Sequence, residues 1–225
     1  MKYSRYGLVL ALTGLLCAPA LGREIPLYET GPAEDAAFIR FVNGTAKPMQ
    51  VVGTQGRAAL ELPASQPVSD YLPVAANRPL KGDFTQDKTQ AKSETTVKPG
   101  EFVTVVGLND SGGTLKVRTL REAPEDFNAL KASLAAYNLS DTCPNASIQV
   151  AGRNLAIFKA IEPDSVSERR MINPVNLTVQ LLCDDKPAGE PVALGTLEAA
   201  GRYTLFLLPS SEGTRLVPAT DTMAF

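Results

Sequence analysis

Short apolar or alternating segments recur along this chain, and Gly, Pro, Asn or Asp interrupts them about every 8 to 12 residues. Segments of this length are typical of strands, and their regular spacing is typical of a β-sandwich or β-barrel. The pattern predicts an all-β protein, with a helical pattern of at most about two turns at 126–136. The predicted strands include residues 37–42, 49–52, 102–108, 114–120, 154–161, 175–183 and 202–208.

Two segments carry hairpin signals. The runs at 102–108 and 114–120 flank the sequence Asn-Asp-Ser-Gly-Gly, whose residue types favour a tight turn. Residues 77–98 form the most polar stretch of the chain and carry charges of alternating sign. This composition predicts a long exposed hairpin or loop, and it favours a solvated excursion over a binding loop.

The two halves of the chain resemble each other at a spacing of roughly 100 residues. Asn43 aligns with Asn138 at the end of the first strand of each half. Gly100 aligns with Gly201 ahead of the closing hairpin. These matches predict an internal duplication, and the alternative is a chance similarity between β segments.

The first 22 residues have the composition of a secretory signal peptide. Lys2 and Arg5 precede an apolar run at 7–16, and Ala20 and Gly22 occupy the small positions of a cleavage site. The apolar run is too short to span a bilayer. The sequence therefore predicts cleavage after Gly22 and an exported mature chain.

The domain organisation follows from the duplication. Residues 122–130 carry the charges and the proline of a linker between the two halves. We therefore predict a signal peptide at 1–22, a first β-sandwich domain at 23–121, a linker at 122–130 and a second β-sandwich domain at 131–225.

Cleavage leaves two cysteines, Cys143 and Cys183. Two cysteines in an exported chain are expected to pair, and two buried free thiols are the alternative. A disulfide that closes the loop of roughly 40 residues between them would stabilise the fold by about 4 kcal/mol on the chain-entropy model. A zinc site is not expected, because the sequence has no C-x-x-C motif and no His.

The sequence contains no His and no Trp. Without imidazole, a Ser-His-Asp triad, a Cys-His pair and a His metal cluster are excluded. The net charge is −2 and becomes −4 when Lys2 and Arg5 are removed, which disfavours nucleic acid as a partner. We predict no catalytic residue, no metal and no cofactor.

One cationic spot is a candidate for contact with a partner protein. Arg169 and Arg170 precede Asn173 and Pro174 at the entry to a predicted strand. These four residues are the predicted interface, and a solvated turn is the alternative. Ser69 has the appearance of a nucleophile but has no neighbouring base.

Several segments resemble the AlgF family, the periplasmic accessory proteins of bacterial alginate O-acetylation. The most distinctive is the run Ile-Asn-Pro-Val at 172–175. The others lie in both halves, at 27–28, 37–43, 69–73, 136–140 and 170–181. The two cysteines and the polar stretch at 77–98 depart from the alginate pattern, which leaves open a relative that serves another exopolysaccharide, such as acetylated cellulose.

The resemblance implies a periplasmic protein of two β-sandwich domains that is required for O-acetylation of a biofilm exopolysaccharide. It also implies two partners, an SGNH-type polysaccharide O-acetyltransferase and a membrane-bound O-acyltransferase. Because the chain has no His, we expect a non-catalytic adaptor. The alternatives are a pair of carbohydrate-binding modules that contact the polysaccharide directly, and a subunit that relays an acetyl group.

Overall fold

The computed structural model describes residues 36–54, 59–110, 112–122 and 128–224. The predicted signal peptide and the mature residues up to 35 lie outside this range, as do residues 123–127 of the predicted linker. The described residues belong to one compact unit. Within them, no helix has the length and apolar character needed to cross a membrane.

The described residues form strands joined by turns and contain no helix, so the predicted all-β class is confirmed. The strands are β1 (Ala36–Asn43), β2 (Met49–Gly53), β3 (Ala59–Leu62), β4 (Leu72–Ala75), β5 (Pro79–Gln86), β6 (Thr89–Thr96), β7 (Phe102–Asn109), β8 (Leu115–Arg121), β9 (Ala132–Asn138), β10 (Ala146–Val150), β11 (Ala156–Ile161), β12 (Ser165–Val166), β13 (Arg170–Ile172), β14 (Val175–Cys183), β15 (Lys186–Pro187), β16 (Val192–Leu197), β17 (Arg202–Ser210) and β18 (Gly213–Thr220).

These strands make four sheets, two in each half of the chain. The first half contains a sheet of order β4-β1-β7-β8 and a sheet of order β3-β2-β5-β6. The second half contains β12-β9-β17-β18, with β13 also on β9, and β11-β10-β14-β15, with β16 also on β14. The first strand of each half runs parallel to its partner, β1 to β7 and β9 to β17, and the other pairings are antiparallel.

Each half is a β-sandwich with its own apolar core between its two sheets. The first core includes Ile39, Val51, Phe84 and Val105, and the second includes Leu134, Ile148, Leu181 and Leu205. A third cluster joins the two sandwiches through Val42, Val106, Tyr137 and Phe206. We call the sheets that contain β1 and β9 the inner sheets, because they meet in this third cluster, and the other two the outer sheets.

The predicted duplication is visible in one buried amide at the end of the first strand of each half. Asn43 donates from Nδ2 to the carbonyl of Leu62 at 2.8 Å, and Asn138 donates from Nδ2 to the carbonyl of Ile161 at 2.8 Å. Asn43 therefore links the inner sheet of the first half to β3, and Asn138 links the inner sheet of the second half to β11. The alignment of Asn43 with Asn138 is confirmed.

The second alignment is wrong by one residue. Gly100 and Ala200 both have a positive φ, of 70° and 61°, which is a rare conformation for a residue with a side chain. Thr104 and Thr204 follow them at the same spacing and pair with equivalent positions of β1 and β9. Gly100 thus corresponds to Ala200 and not to Gly201.

The two hairpin predictions have different outcomes. Strands β7 and β8 form the hairpin predicted at 102–120. Strands β5 and β6 form a hairpin within 77–98, but this segment is not a solvated excursion, since it supplies half of an outer sheet and buries Phe84 completely. The inward positions of β5 and β6 include Gly82 and Ser93, so the alternation was too weakly apolar to be recognised.

The helical pattern predicted at 126–136 is also corrected. Residues 132–138 form β9, and every residue of this strand is buried. A strand buried on both faces has a continuous apolar run, which periodicity does not distinguish from a buried helix. The predicted domain limits stay a prediction, although Glu122, at the start of the predicted linker, has a side chain that is only 5% exposed.

Cys143 and Cys183 form the predicted disulfide, with Cα atoms 5.1 Å apart. Cys183 ends β14, and Cys143 lies between β9 and β10, so the bond joins parts of the second sandwich. Its closed loop spans a sequence separation of 40. It therefore constrains the unfolded state of the second half alone.

We expect the double variant Cys143→Ala/Cys183→Ala to lose about 4 kcal/mol of unfolding free energy, because its unfolded chain regains the entropy of a 40-residue loop. Urea denaturation followed by far-UV circular dichroism measures the loss. The wild type in reducing agent serves as the control and should match the variant. Equal stability of the oxidised wild type and the variant would contradict the expectation.

Candidate functional site

A cluster of five charged side chains lies between the two inner sheets. It consists of Arg40, Glu122, Arg169, Arg202 and Asp221. The side chains are 0–5% exposed, except that of Arg202, which is 19% exposed. Buried charges of this kind are tolerated only when they are paired and hydrogen-bonded, so the contacts decide what the cluster does.

Arg40 enters the cluster from the middle of β1. It donates from Nη1 to Asp221 at 2.5 Å, from Nε to Thr104 at 2.9 Å and from Nη2 to Thr204 at 3.0 Å. Its guanidinium carbon lies 4.5 Å from the centre of the Tyr71 ring. Burial alone would lower the pKa of Arg40, but Asp221, Tyr71, Tyr137 and Glu122 together outweigh burial and raise the pKa.

Glu122 receives the largest number of charged donors. Arg169 donates to it from Nε at 2.8 Å and from Nη2 at 2.9 Å, and Arg202 donates from Nη2 at 2.8 Å. The hydroxyl of Tyr137 also donates to it. Burial raises the pKa of Glu122, but these donors outweigh burial and lower the pKa to about 2.

Asp221 connects the arginines of both halves. It accepts from Nη1 of Arg40 and from Nη2 of Arg169, each at 2.5 Å, and from the hydroxyl of Thr204 at 2.8 Å. Its side chain has no exposed surface. A residue near the end of the second half thus neutralises an arginine near the start of the first.

The two acids occupy equivalent positions of the duplication. Each is the first residue after the last strand of its half, β8 or β18. The N–H of Glu122 donates to the carbonyl of Phe102 at 3.4 Å, and the N–H of Asp221 donates to that of Arg202 at 2.8 Å. Phe102 and Arg202 open the equivalent strands β7 and β17. The duplication therefore brings both acids to the same interface.

Tyr71 and Arg169 are a second equivalent pair. A serine lies two residues before each of them, and its hydroxyl accepts a backbone N–H from the first strand of that half. Ser69 accepts from β1 at 3.0 Å, and Ser167 accepts from β9 at 2.9 Å. The hydroxyl of Ser69 also donates to the carbonyl of Asp70 at 2.8 Å. Ser69 is therefore engaged with the backbone on both sides.

Two groups at the cluster, Glu122 and Tyr71, keep a single protonation state near neutral pH. Glu122 stays ionised near neutral pH, and burial raises the pKa of Tyr71 to about 12, so its phenol stays protonated. Neither group titrates near neutral pH, as a general acid or base would. In the described part of the chain, no group of three or more Cys, Asp or Glu residues is arranged to hold a metal ion.

The structure separates the four residues of the predicted interface. Arg169 turns inward, with a side chain that is 3% exposed, so it is a member of the buried cluster and not a surface cation. Arg170, Asn173 and Pro174 are exposed, and Lys131 donates to Asn173. Their contact with a partner stays a prediction.

Most of the buried cluster was not predicted from the sequence. Arg40 carried one signal, because it interrupts the otherwise apolar run Phe-Ile-Arg-Phe-Val of a core strand. A charge at such a position is retained only with buried partners. Glu122 and Asp221 carried no local signal, since each follows a strand, where a solvated acid is ordinary.

Residues 8–200 match the family described as alginate O-acetyl transferase AlgF. This span covers most of the chain and includes the first sandwich and the second sandwich up to β16. The chain belongs to the AlgF family. No individually curated protein matches it. AlgF membership confirms the resemblance seen in the short segments and connects the chain with alginate O-acetylation.

The lowered pKa of Glu122 predicts a dependence of stability on acid. The folded value of about 2 lies below the ordinary value of 4.5, so ionised Glu122 stabilises the fold fully above pH 4.5. This contribution, on the order of 3 kcal/mol, is lost as the pH falls from about 4.5 to about 2. Urea denaturation across this range measures it.

We expect Glu122→Gln to lose about 3–5 kcal/mol of unfolding free energy at pH 7, because it leaves buried arginines without their carboxylate. The difference from wild type should shrink as the pH falls below 4.5. Glu94→Gln is the matched control, since its ion pair with Lys81 is more than half exposed and should change stability by less than about 1 kcal/mol. Equal losses in these two variants would refute a stabilising role for the cluster.

Proposed function

We propose that this AlgF-family protein is a non-catalytic accessory subunit of polysaccharide O-acetylation, with alginate as the first candidate polymer and acetylated cellulose as the second. It works in the periplasm as an adaptor for an SGNH-type O-acetyltransferase and a membrane-bound O-acyltransferase. The proposal rests on one combined observation: the chain belongs to a family described by alginate O-acetyl transfer, yet its sequence has no histidine.

The chemistry of acetyl transfer supports the accessory role. A serine nucleophile needs a base within hydrogen-bond reach, and a histidine supplies it in SGNH enzymes. In the part of the chain that the structure describes, the buried carboxylates are held by arginines, and the hydroxyl of Ser69 is bound to the backbone. The carboxylates and the Ser69 hydroxyl would have to give up these structural partners before they could take part in acetyl transfer.

The proposed contact surface is formed by the exposed residues of 170–175 at the edge of the second sandwich, where Ile172 instead packs against the second core. Arg170, Asn173 and Pro174 lie beside Met171 and Val175, which are 38% and 42% exposed. A mixture of exposed apolar groups with arginine is typical of protein interfaces. β13 is held on β9, so the run is presented by a paired strand.

A clean deletion of the gene should abolish O-acetylation of the secreted polysaccharide while secretion of the polymer continues. The reason is that the acetyltransferase would lose the subunit that couples it to the acetyl supply. Acetyl content per sugar in purified polymer measures the effect, and complementation with the wild-type gene is the control. Unchanged acetylation would refute the proposal and favour a module that binds polysaccharide.

The double variant Arg170→Glu/Met171→Asp should reduce co-purification of the tagged protein with the acetyltransferase at least fivefold. It places two negative charges on the proposed surface without entering the core. Arg153→Glu is the control, because Arg153 is also exposed but lies in the turn between β10 and β11. Equal recovery of partner by both variants, with unchanged melting temperatures, would remove this surface from the interface.

A further inference from the structure

An apolar cavity of about 370 Å³ lies between the two sheets of the first sandwich. Phe41 and Leu72 line it from the inner sheet, and Leu60 and Leu80 line it from the outer sheet. All four are partly exposed rather than buried, so the cavity opens to solvent. An opening of this size between the sheets of a sandwich needs a cause, since protein cores are otherwise closely packed.

The cause is a row of three small residues across the outer sheet. Gly53 of β2 pairs with Gly82 of β5, and Gly82 pairs with Ser93 of β6. All three residues line the cavity. The outer sheet therefore lacks side-chain volume along one line across three neighbouring strands.

The second sandwich has valine at each position of the same row. Val150 pairs with Val179, and Val179 pairs with Val192. The two rows can be matched because Asn43 and Asn138 are equivalent, which makes their acceptors Leu62 and Ile161 equivalent as well. Leu62 pairs with the first residue of β2, and Ile161 pairs with the first residue of β10. Gly53 and Val150, the last residues of these two strands, therefore correspond.

The three valines pack into the second core, and Val179 is completely buried. The two sandwiches therefore share a fold and differ in this row, where one is filled and the other is open. The row is open because of the small residues that the first sandwich has there, and not because of the fold that both sandwiches share.

We propose that this cavity binds the single unbranched acyl chain of an amphiphile, with its polar end at the mouth. An apolar cavity of about 150 Å³ holds one benzene molecule. On that scale, 370 Å³ holds a chain of on the order of ten to fifteen carbon atoms. One protruding side chain of a partner protein would leave most of it unfilled.

The lining favours a hydrocarbon chain over a peptide segment. A peptide would bring N–H and C=O groups that need hydrogen-bond partners in the cavity. The backbone groups of β2 and β5 already pair with neighbouring strands on both sides, and the hydroxyl of Thr95 accepts from Arg121 at 3.1 Å. An alkyl chain has no such requirement. This inference is independent of the proposed function, since a protein can serve acetylation with or without an acyl ligand.

Dodecanoate, kept below its micelle concentration, is the probe for the mature chain 23–225. We expect saturable binding of one molecule per protein by calorimetry, and displacement of bound 1-anilinonaphthalene-8-sulfonate. Gly53→Val and Ser93→Val introduce the residues of the second sandwich, singly and together. Each single variant should weaken binding several-fold, and the double variant should weaken it at least tenfold.

Thr96→Val is the matched control, because Thr96 lies on β6 but is exposed outside the cavity, and it should bind dodecanoate like the wild type. Circular dichroism and melting temperature establish that each variant is folded, and the single variants serve if the double variant is not. No binding by the folded wild type, or equal binding by wild type and every folded filling variant, would overturn the proposal. Loss of acetyltransferase binding in the filling variants, without dodecanoate binding by the wild type, would also overturn it and assign the cavity to a protein segment.

Discussion

The reciprocal ion pairs between the two inner sheets hold this structure together. Arg40 of the first half is neutralised by Asp221 of the second, and Arg169 of the second half is neutralised by Glu122 of the first. Burying a charge without its partner costs several kcal/mol, so a different packing of the two inner sheets that buried these arginines away from the carboxylates would be penalised. The pairs therefore specify how the two sandwiches meet, which an apolar contact through Val42 and Phe206 would leave less defined.

The sequence predicted those features that depend on neighbours along the chain. The strand rhythm, the β7–β8 hairpin and the alignment of Asn43 with Asn138 each depend on local residue types, and the structure confirms them. The alignment of Gly100 with Gly201 was wrong because Ala200, which precedes that glycine, adopts the positive φ. The helical pattern at 126–136 was wrong because burial of β9 on both faces removed the alternation that identifies a strand.

The candidate site was largely beyond prediction because its members are distant in sequence. Arg40 and Asp221 are separated by 181 positions, and only the packing of the two inner sheets brings them together. The polar stretch at 77–98 shows a related limit. Its inward residues, such as Gly82 and Ser93, are small, which concealed a core hairpin in the sequence and leaves the cavity open in the fold.

The position of Asp221 also links the burial of Arg40 to the last strand of the second half. The first sandwich contains all of its strands once residue 121 has been made, but Arg40 and Tyr71 still lack partners at positions 221, 222 and 224. Until the second half folds, the nearest carboxylate to Arg40 is that of Glu122, at 3.9 Å, and the inner face of the first sandwich lacks its cover. Full burial and pairing of Arg40 are thereby coupled to completion of the second half.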